Sequence, residues 1–174
     1  MSCPTASVAT PADWPELVAL RTRVFVEEQG VPPEIEQDAA DATAVHVLSR
    51  GLAGDLAGRV VATGRLLIGE GTATIGRMAA DAGVRGRGHG AAVLSELHRQ
   101  AGLRGVTEIE LHAQATARKF YERAGYTAVG QEYEEAGIRH ITMRRVLPAA
   151  RGAGGADVTD RSGCEKTRPV RPSE

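Results

Sequence analysis

Apolar positions recur with a helical period in two long stretches and alternate with polar ones in several short runs, and that rhythm predicts the elements. Leu17, Leu20, Val24 and Phe25 share one face of a first helix that Thr10-Pro11 opens as N-cap and first helical position and that ends near Gly30. Val31-Pro32-Pro33 breaks it, and acidic Glu34 to Asp38 reads as a loop with one helical turn. Val45 to Leu48 and Arg59 to Thr63, around Gly51 to Asp55, predict an antiparallel hairpin whose second strand extends from Arg65 to Ile68. Ala73 to Met78 is the next strand and runs into a glycine-rich stretch. From Gly88 onward Val93, Leu94, Leu97 and Ala101 mark a second long helix, ended by Gly102 and Gly105. Ile109 to Leu111 is a strand, residues 116 to 124 a short helix closed by Gly125, and Tyr126 to Tyr133 with Ile138 to Val146 a last hairpin around Glu135-Ala136-Gly137. The fold class is mixed α/β (α+β), with a mostly antiparallel sheet of about six or seven strands flanked by about four helices.

Composition narrows this picture rather than changing it. A chain of 174 residues has room for one self-supporting domain, assigned to 1–148. Beyond Pro148 the sequence is mostly Ala, Gly, Arg, Ser, Thr and Pro with isolated valines, too little apolar area to offset the entropy of ordering, so 149–174 is expected to be a disordered tail. A formal net charge of -1 gives no whole-molecule reason to expect nucleic acid or an anionic membrane as partner. Cys3 and Cys164 sit at opposite ends, which suggests neither a disulfide framework nor a zinc spacing, and no apolar run has the length of a membrane span. The expected location is cytoplasmic; a homodimer stays open.

The chemistry concentrates in Arg85-Gly86-Arg87-Gly88-His89-Gly90, between a strand and a helix. Amides at a helix N-terminus lack intrahelical partners, glycine lets phosphate oxygens approach them, and Arg85 and Arg87 add charge-assisted donors, so a diphosphate is the expected ligand. Gly86 to Ala91 also satisfies the dinucleotide fingerprint G-x-G-x-x-A, with Glu110 about twenty residues on. That fingerprint belongs after the first strand of a doubly wound parallel sheet, whereas several hairpin-connected strands precede it here.

The same loop resembles the acyl-CoA loop of the GNAT N-acetyltransferases, written Q/R-x-x-G-x-G/A. Gln114, Ala117, Phe120-Tyr121 and Gly125-Tyr126 resemble that family's N-x-x-A-x-x-F/L-Y-x-x-x-G-F segment, with glutamine for asparagine and tyrosine for phenylalanine. Arg21 to Gln29 and Tyr133 to Ile141 are similar to the ElaA-like branch, so the resemblance covers roughly 14 to 147.

The resemblance implies an N-acetyltransferase that moves an acetyl group from acetyl-CoA to a primary amine by direct attack through a tetrahedral intermediate, without a metal. It implies a pantetheine arm lying between two splayed parallel strands and pairing with the backbone of Met78 and Ala80. The amides of Met78, Ala79 and Ala80 then face the thioester carbonyl, and Arg85 through Ala91 (Gly86, Arg87, Gly88, His89 and Gly90 between them) and Gln114 complete the donor site. Tyr121 matches a tyrosine kept near the sulfur and is the candidate acid for the departing thiolate. Glu134 ranks first as base for the acceptor amine, ahead of Glu27, His46 and His112. Glu27, Gln29, Glu36 and His112 are the candidate acceptor-side residues. The acidity of Glu27, Glu28, Glu34, Glu36, Asp38 and Asp41 favours a cationic amine, small or an exposed amino group. A non-catalytic acyl-CoA-binding module and a dinucleotide-binding oxidoreductase are the alternatives.

Overall fold

Leu17 and Leu20 are fully buried, and each contributes roughly 2 kcal/mol by leaving water, which seats the first helix against the sheet. In the computed structural model, which describes residues 2–149, this helix is α1 (Trp14–Arg21), entered through a 3₁₀ turn at Pro11–Asp13. The Asp13 carboxylate accepts from the Thr10 N–H at 2.7 Å and from its hydroxyl at 2.9 Å, which fixes the entry. The helix does not run on regularly to Gly30. After Arg21 it widens into a π-helical stretch, Thr22–Glu28, and the Val31 N–H reaches back to the Phe25 carbonyl at 2.8 Å. The single turn expected in the acidic loop is α2 (Pro33–Glu36). The tail predicted at 149–174 lies outside the described residues from 150 on.

The strands are β1 (Ser7–Val8), β2 (Val45–Arg50), β3 (Val60–Ile68), β4 (Thr72–Ala80), β5 (Glu108–Gln114), β6 (Thr127–Glu135) and β7 (Ile138–Val146). They form one seven-stranded sheet in the order β1-β2-β3-β4-β5-β7-β6. Only β4 and β5 run parallel, because α3 (His89–Leu103) connects them; every other neighbouring pair is antiparallel. A doubly wound parallel sheet is therefore absent from the described residues, and the dinucleotide-binding alternative loses its scaffold.

Strand alternation sorts the side chains. Ile109, Leu111 and Ala113 of β5 face a core that includes Val93, Leu94 and Leu97 of α3 and Tyr121 of α4 (Arg118–Arg123). Glu110, His112 and Gln114 face the other way. On that opposite side Leu20 and Val24 pack with Leu48, Val60 and Ala79 in a second cluster. Helices thus cover both faces of the sheet near β3 and β4.

Candidate active site

The parallel pair opens partway along its length. β4 and β5 are in register from Thr72 opposite Glu108 to Ile75 opposite Leu111, and there pairing ends although β4 continues to Ala80 and β5 to Gln114. The β4 edge from Gly76 to Ala80 that faces β5 has no partner strand, so its amides stand ready for another extended chain. A bulge sits at the same place. Arg65 opposes Gly76 and Thr63 opposes Ala79, leaving Arg77 and Met78 against Gly64 alone. A Cβ on Gly64 would lie 2.5 Å from Met78 Sδ and 2.7 Å from a Leu97 methyl, so only glycine lets the bulge and α3 close over it.

Where the strands part, a cavity of about 320 Å³ passes through the sheet. Tyr121 and Ala117 border it from the α4 side, while His112, Gln114 and His140 border it from the other. Met78 and Gly76 line it between them. The Tyr121 ring packs edge-on against Phe120 at 5.0 Å and Tyr126 at 5.8 Å between centroids, and no described group hydrogen-bonds its hydroxyl. Burial pushes its pKa up, so the phenol is protonated throughout the neutral range. Tyr126 is itself anchored: Arg145 donates to His98 Nδ1 at 2.9 Å, which leaves His98 Nε2–H to donate to the Tyr126 hydroxyl at 2.8 Å. Burial and the nearby Arg145 hold His98 down to about 4, which keeps it neutral in that role.

The glycine stretch leads from the end of β4 to α3. Gly86 and Gly88 have φ of +75° and +91°, values that side chains resist, and a Cβ on Gly86 would meet no atom within 4 Å. The N–H groups of Gly88, His89, Gly90 and Ala91 have no main-chain acceptor among the described residues and cluster at the N-terminus of α3. Arg87 is exposed. Arg85 is occupied instead: its guanidinium grips Glu28 through two bonds of 2.6 and 2.8 Å and also donates to the Ala80 carbonyl. His89 turns inward, with its Nδ1 2.8 Å from Ser49 Oγ, whose hydroxyl donates to the Thr5 carbonyl. Only the backbone of His89 remains for a ligand, and its ring ties the start of α3 to the N-terminal segment.

On the acceptor side the acidic loop is not a free negative surface. Arg21 is fully buried, bonds Glu36, and holds Asp41 at 2.9 and 3.1 Å. Arg65 reaches Asp38 at 2.7 Å and Asp41 at 2.9 Å, and Arg77 donates to the Ile35 and Glu36 carbonyls and to Asp38. Burial opposes ionisation of Asp41, but the Arg21 and Arg65 guanidinia outweigh it and hold its pKa down to about 2. Three guanidinia from α1, β3 and β4 thus neutralise Glu36, Asp38 and Asp41. Arg77 has a left-handed φ of +52°, a strain that the carbonyls of α2 offset. The charge-complementarity argument is thereby narrowed: Glu28, Glu36, Asp38 and Asp41 are paired within the protein, and of the six carboxylates only the exposed Glu27 and Glu34 have no arginine partner among the described residues.

The remaining sequence candidates separate clearly. Gln29, Glu36 and His112 line the cavity, and Gln114 Nε2 donates to Gln29 Oε1 at 2.8 Å across its wall. Ala79 is buried under α1, and only its backbone lies along the open edge. Glu27 is exposed and outside the wall. His46 lies behind the cavity, 3.0 Å from the Asp41 carbonyl and edge-on to Trp14. Glu134 faces away, because its neighbours Tyr133 and Glu135 share the face toward the cavity and alternation puts Glu134 on the other, exposed side. Residues not chosen as site candidates from the sequence also line the wall: Arg65 and Arg77, the apolar Phe25, Val31 and Ile35, and the two β7 residues Ile138 and His140. Among the described residues no cluster of His, Cys, Asp or Glu has the arrangement of a metal site, and no helix is long and apolar enough to cross a membrane.

The family model described as Acetyltransferase (GNAT) domain matches residues 19–147. The Bacillus subtilis protein YyaT is 33% identical over 143 residues, covering 80% of this chain and 93% of that protein. An acyl-CoA N-acyltransferase from Pseudomonas aeruginosa superposes with a TM-score of 0.67 at 32% identity, covering 82% of this chain and 99% of that one. Escherichia coli ElaA superposes at 0.68 with 26% identity over 82% and 99% of the two chains.

Proposed function

Because this chain belongs to the GNAT acetyltransferase domain family, an acyltransferase family, we propose that it transfers an acetyl group from acetyl-CoA to a primary amine by direct attack. The observation that carries this is the through-sheet cavity where β4 and β5 part, with a phenol on one wall and an unpaired strand edge leading to it. The free amides of Gly88 to Ala91 and the Arg87 guanidinium suit the diphosphate, and the β4 edge from Gly76 to Ala80 suits the pantetheine arm. Amides at the bulge, around Met78, are the donors for the oxyanion as the amine nitrogen bonds to the thioester carbon. As the carbon–sulfur bond breaks, Tyr121 supplies the proton that the thiolate takes. The acceptor enters from the face lined by Gln29, His112 and His140. A cytoplasmic location is part of the proposal, since acetyl-CoA is an intracellular metabolite.

Thermal shift with acetyl-CoA and with NADPH, followed by thiol release over a panel of polyamines, amino acids, aminoglycosides and peptide N-termini, tests it. Stabilisation by acetyl-CoA alone together with turnover of a panel amine is the expected result. Stabilisation without any turnover would favour a non-catalytic acyl-CoA-binding module, and no stabilisation would overturn the donor assignment.

A further inference from the structure

With Glu134 pointing away, the acceptor amine needs another proton acceptor, and the cavity wall offers few. Glu36 is held by Arg21. His112 has Glu110 3.4 Å from Nε2, which favours a hydrogen there, while Glu135 at 4.0 Å from Nδ1 is beyond hydrogen-bond reach, and its side chain is 47% exposed, so water competes for the Nδ1 lone pair. The Glu135 side chain is 60% exposed at the rim, where water competes for any bond it makes. His140 differs from all of these. Its Nδ1 lies 2.8 Å from the Ile138 carbonyl, and a carbonyl can only accept, so Nδ1 carries the hydrogen and the lone pair of the neutral ring sits on Nε2. No described group hydrogen-bonds Nε2. The ring is half-buried, stacks on Tyr133 at 6.0 Å, and sits on β7 directly opposite Gln114 of β5, level with the stretch where β5 has already left β4. It lines the same cavity as Tyr121.

We propose that His140 is the general base, an inference that rests on the acetyl-transfer reading above. Its Nε2 takes one proton from the acceptor ammonium, freeing the nitrogen lone pair that bonds to the thioester carbon. The sulfur leaves with the Tyr121 proton, the second nitrogen proton restores the phenol, and the proton on His140 returns to solvent. The groups that bear on its titration are His112 and Glu110 from β5, Tyr133 and Glu135 from β6, Glu36 and Arg77 on the far wall, and Tyr121.

The test compares wild type, His140→Gln and His112→Gln, using acetyl-CoA and whichever panel amine the wild type turns over. General-base removal lowers kcat/KM for the amine by roughly 100-fold or more. Imidazoles in general change charge between about pH 5 and 8, so wild-type kcat/KM falls on the acid side as the lone pair is protonated, and His140→Gln lacks that limb while its acetyl-CoA thermal shift matches wild type. His112→Gln keeps the limb, whatever its rate. Independently, long-range ¹H–¹⁵N spectra of the intact protein at alkaline pH should show His140 protonated at Nδ1. An unchanged limb in His140→Gln, or a hydrogen found on Nε2, overturns this assignment and leaves the acetyl-transfer reading intact. A wild type that turns over no amine removes that reading, and the base with it.

Discussion

Replacing Tyr121 with phenylalanine separates the proton from the packing. The ring is 7% exposed and its contacts with Phe120 and Tyr126 are edge-on, so phenylalanine keeps them. Because the hydroxyl has no hydrogen-bond partner among the described groups, its loss leaves nothing unsatisfied, and stability should change by less than about 1 kcal/mol, a shift in Tm of less than about 4 °C. The acetyl-CoA thermal shift should be retained. Turnover should not: loss of a positioned acid costs roughly 10²- to 10⁴-fold, read as initial rates of thiol release at saturating acetyl-CoA and amine.

Burial raises the Tyr121 pKa, and that has two sides. A raised pKa makes the phenol a weaker acid, yet the same dry surroundings penalise a departing thiolate, so the transfer is not uphill by the whole shift. With the folded value above the free one, the neutral form is secured at all lower pH, and its stabilising contribution starts to fall only as pH passes the unfolded value of about 10. The wild-type rate should therefore show no alkaline decline from Tyr121 below about pH 10. A kcat within twofold of wild type in Tyr121→Phe would refute the acid role. So would a rate loss matched by loss of the acetyl-CoA shift, because the phenol would then be binding the donor instead.

Four further outcomes follow from the charges and the loop. Glu28→Gln frees Arg85 and removes a carboxylate beside the cradle; both partners are more than a third exposed, so acetyl-CoA should bind only about two- to fivefold tighter, less so at high salt, and weaker binding by calorimetry would place Arg85 outside the donor site. Arg21→Met removes the close partner of buried Glu36, leaves Asp41 to Arg65 alone, and should cost about 3 to 5 kcal/mol in urea unfolding at pH 7, with part of it recovered in the double variant with Glu36→Gln. With its pKa lowered to about 2, Asp41 contributes stability that is present above the unfolded value and disappears as pH falls from about 4 to about 2, worth roughly 2 kcal/mol; Asp41→Asn should flatten that part of the acid-unfolding curve. Gly86→Ala, strained at φ +75° by about 1 kcal/mol, should still fold but weaken acetyl-CoA binding at least about tenfold, since its methyl enters the open side of the cradle; an unchanged affinity would mean the phosphates lie elsewhere.

What could be read from the chain was periodic and local. Leu17, Leu20 and Val24 at helical spacing, the alternation of Ile109, Leu111 and Ala113, and the glycines before α3 each carry their meaning within a few residues, and the elements they predict are present. β1 was missed because two residues of pairing leave no pattern to detect. The π-helical stretch was missed because its side chains keep the apolar spacing of a normal helix until the backbone count slips. The acidic loop misled for a different reason: its counter-charges, Arg21, Arg65 and Arg77, come from three distant segments, and no local window shows carboxylate and guanidinium together.

The site's own chemistry turns on parity and on an ending, and neither is local. Glu134 and Glu135 are chemically alike, and which one faces the cavity depends on a register fixed by pairing Tyr133 with His140 across the turn. His140 gains its free Nε2 only because a carbonyl two residues back claims Nδ1, and it meets the cavity only because β5 still pairs with β7 where it no longer pairs with β4. That parting of β4 from β5 is a relation between two strands, and its local mark is confined to β4, whose alternation breaks at Gly76-Arg77-Met78 where it bulges. A gap in hydrogen bonding is a property of two segments at once, so periodicity could not place it, and the splayed strands were implied by the family resemblance of the glycine loop and the Gln114 to Tyr126 segment instead.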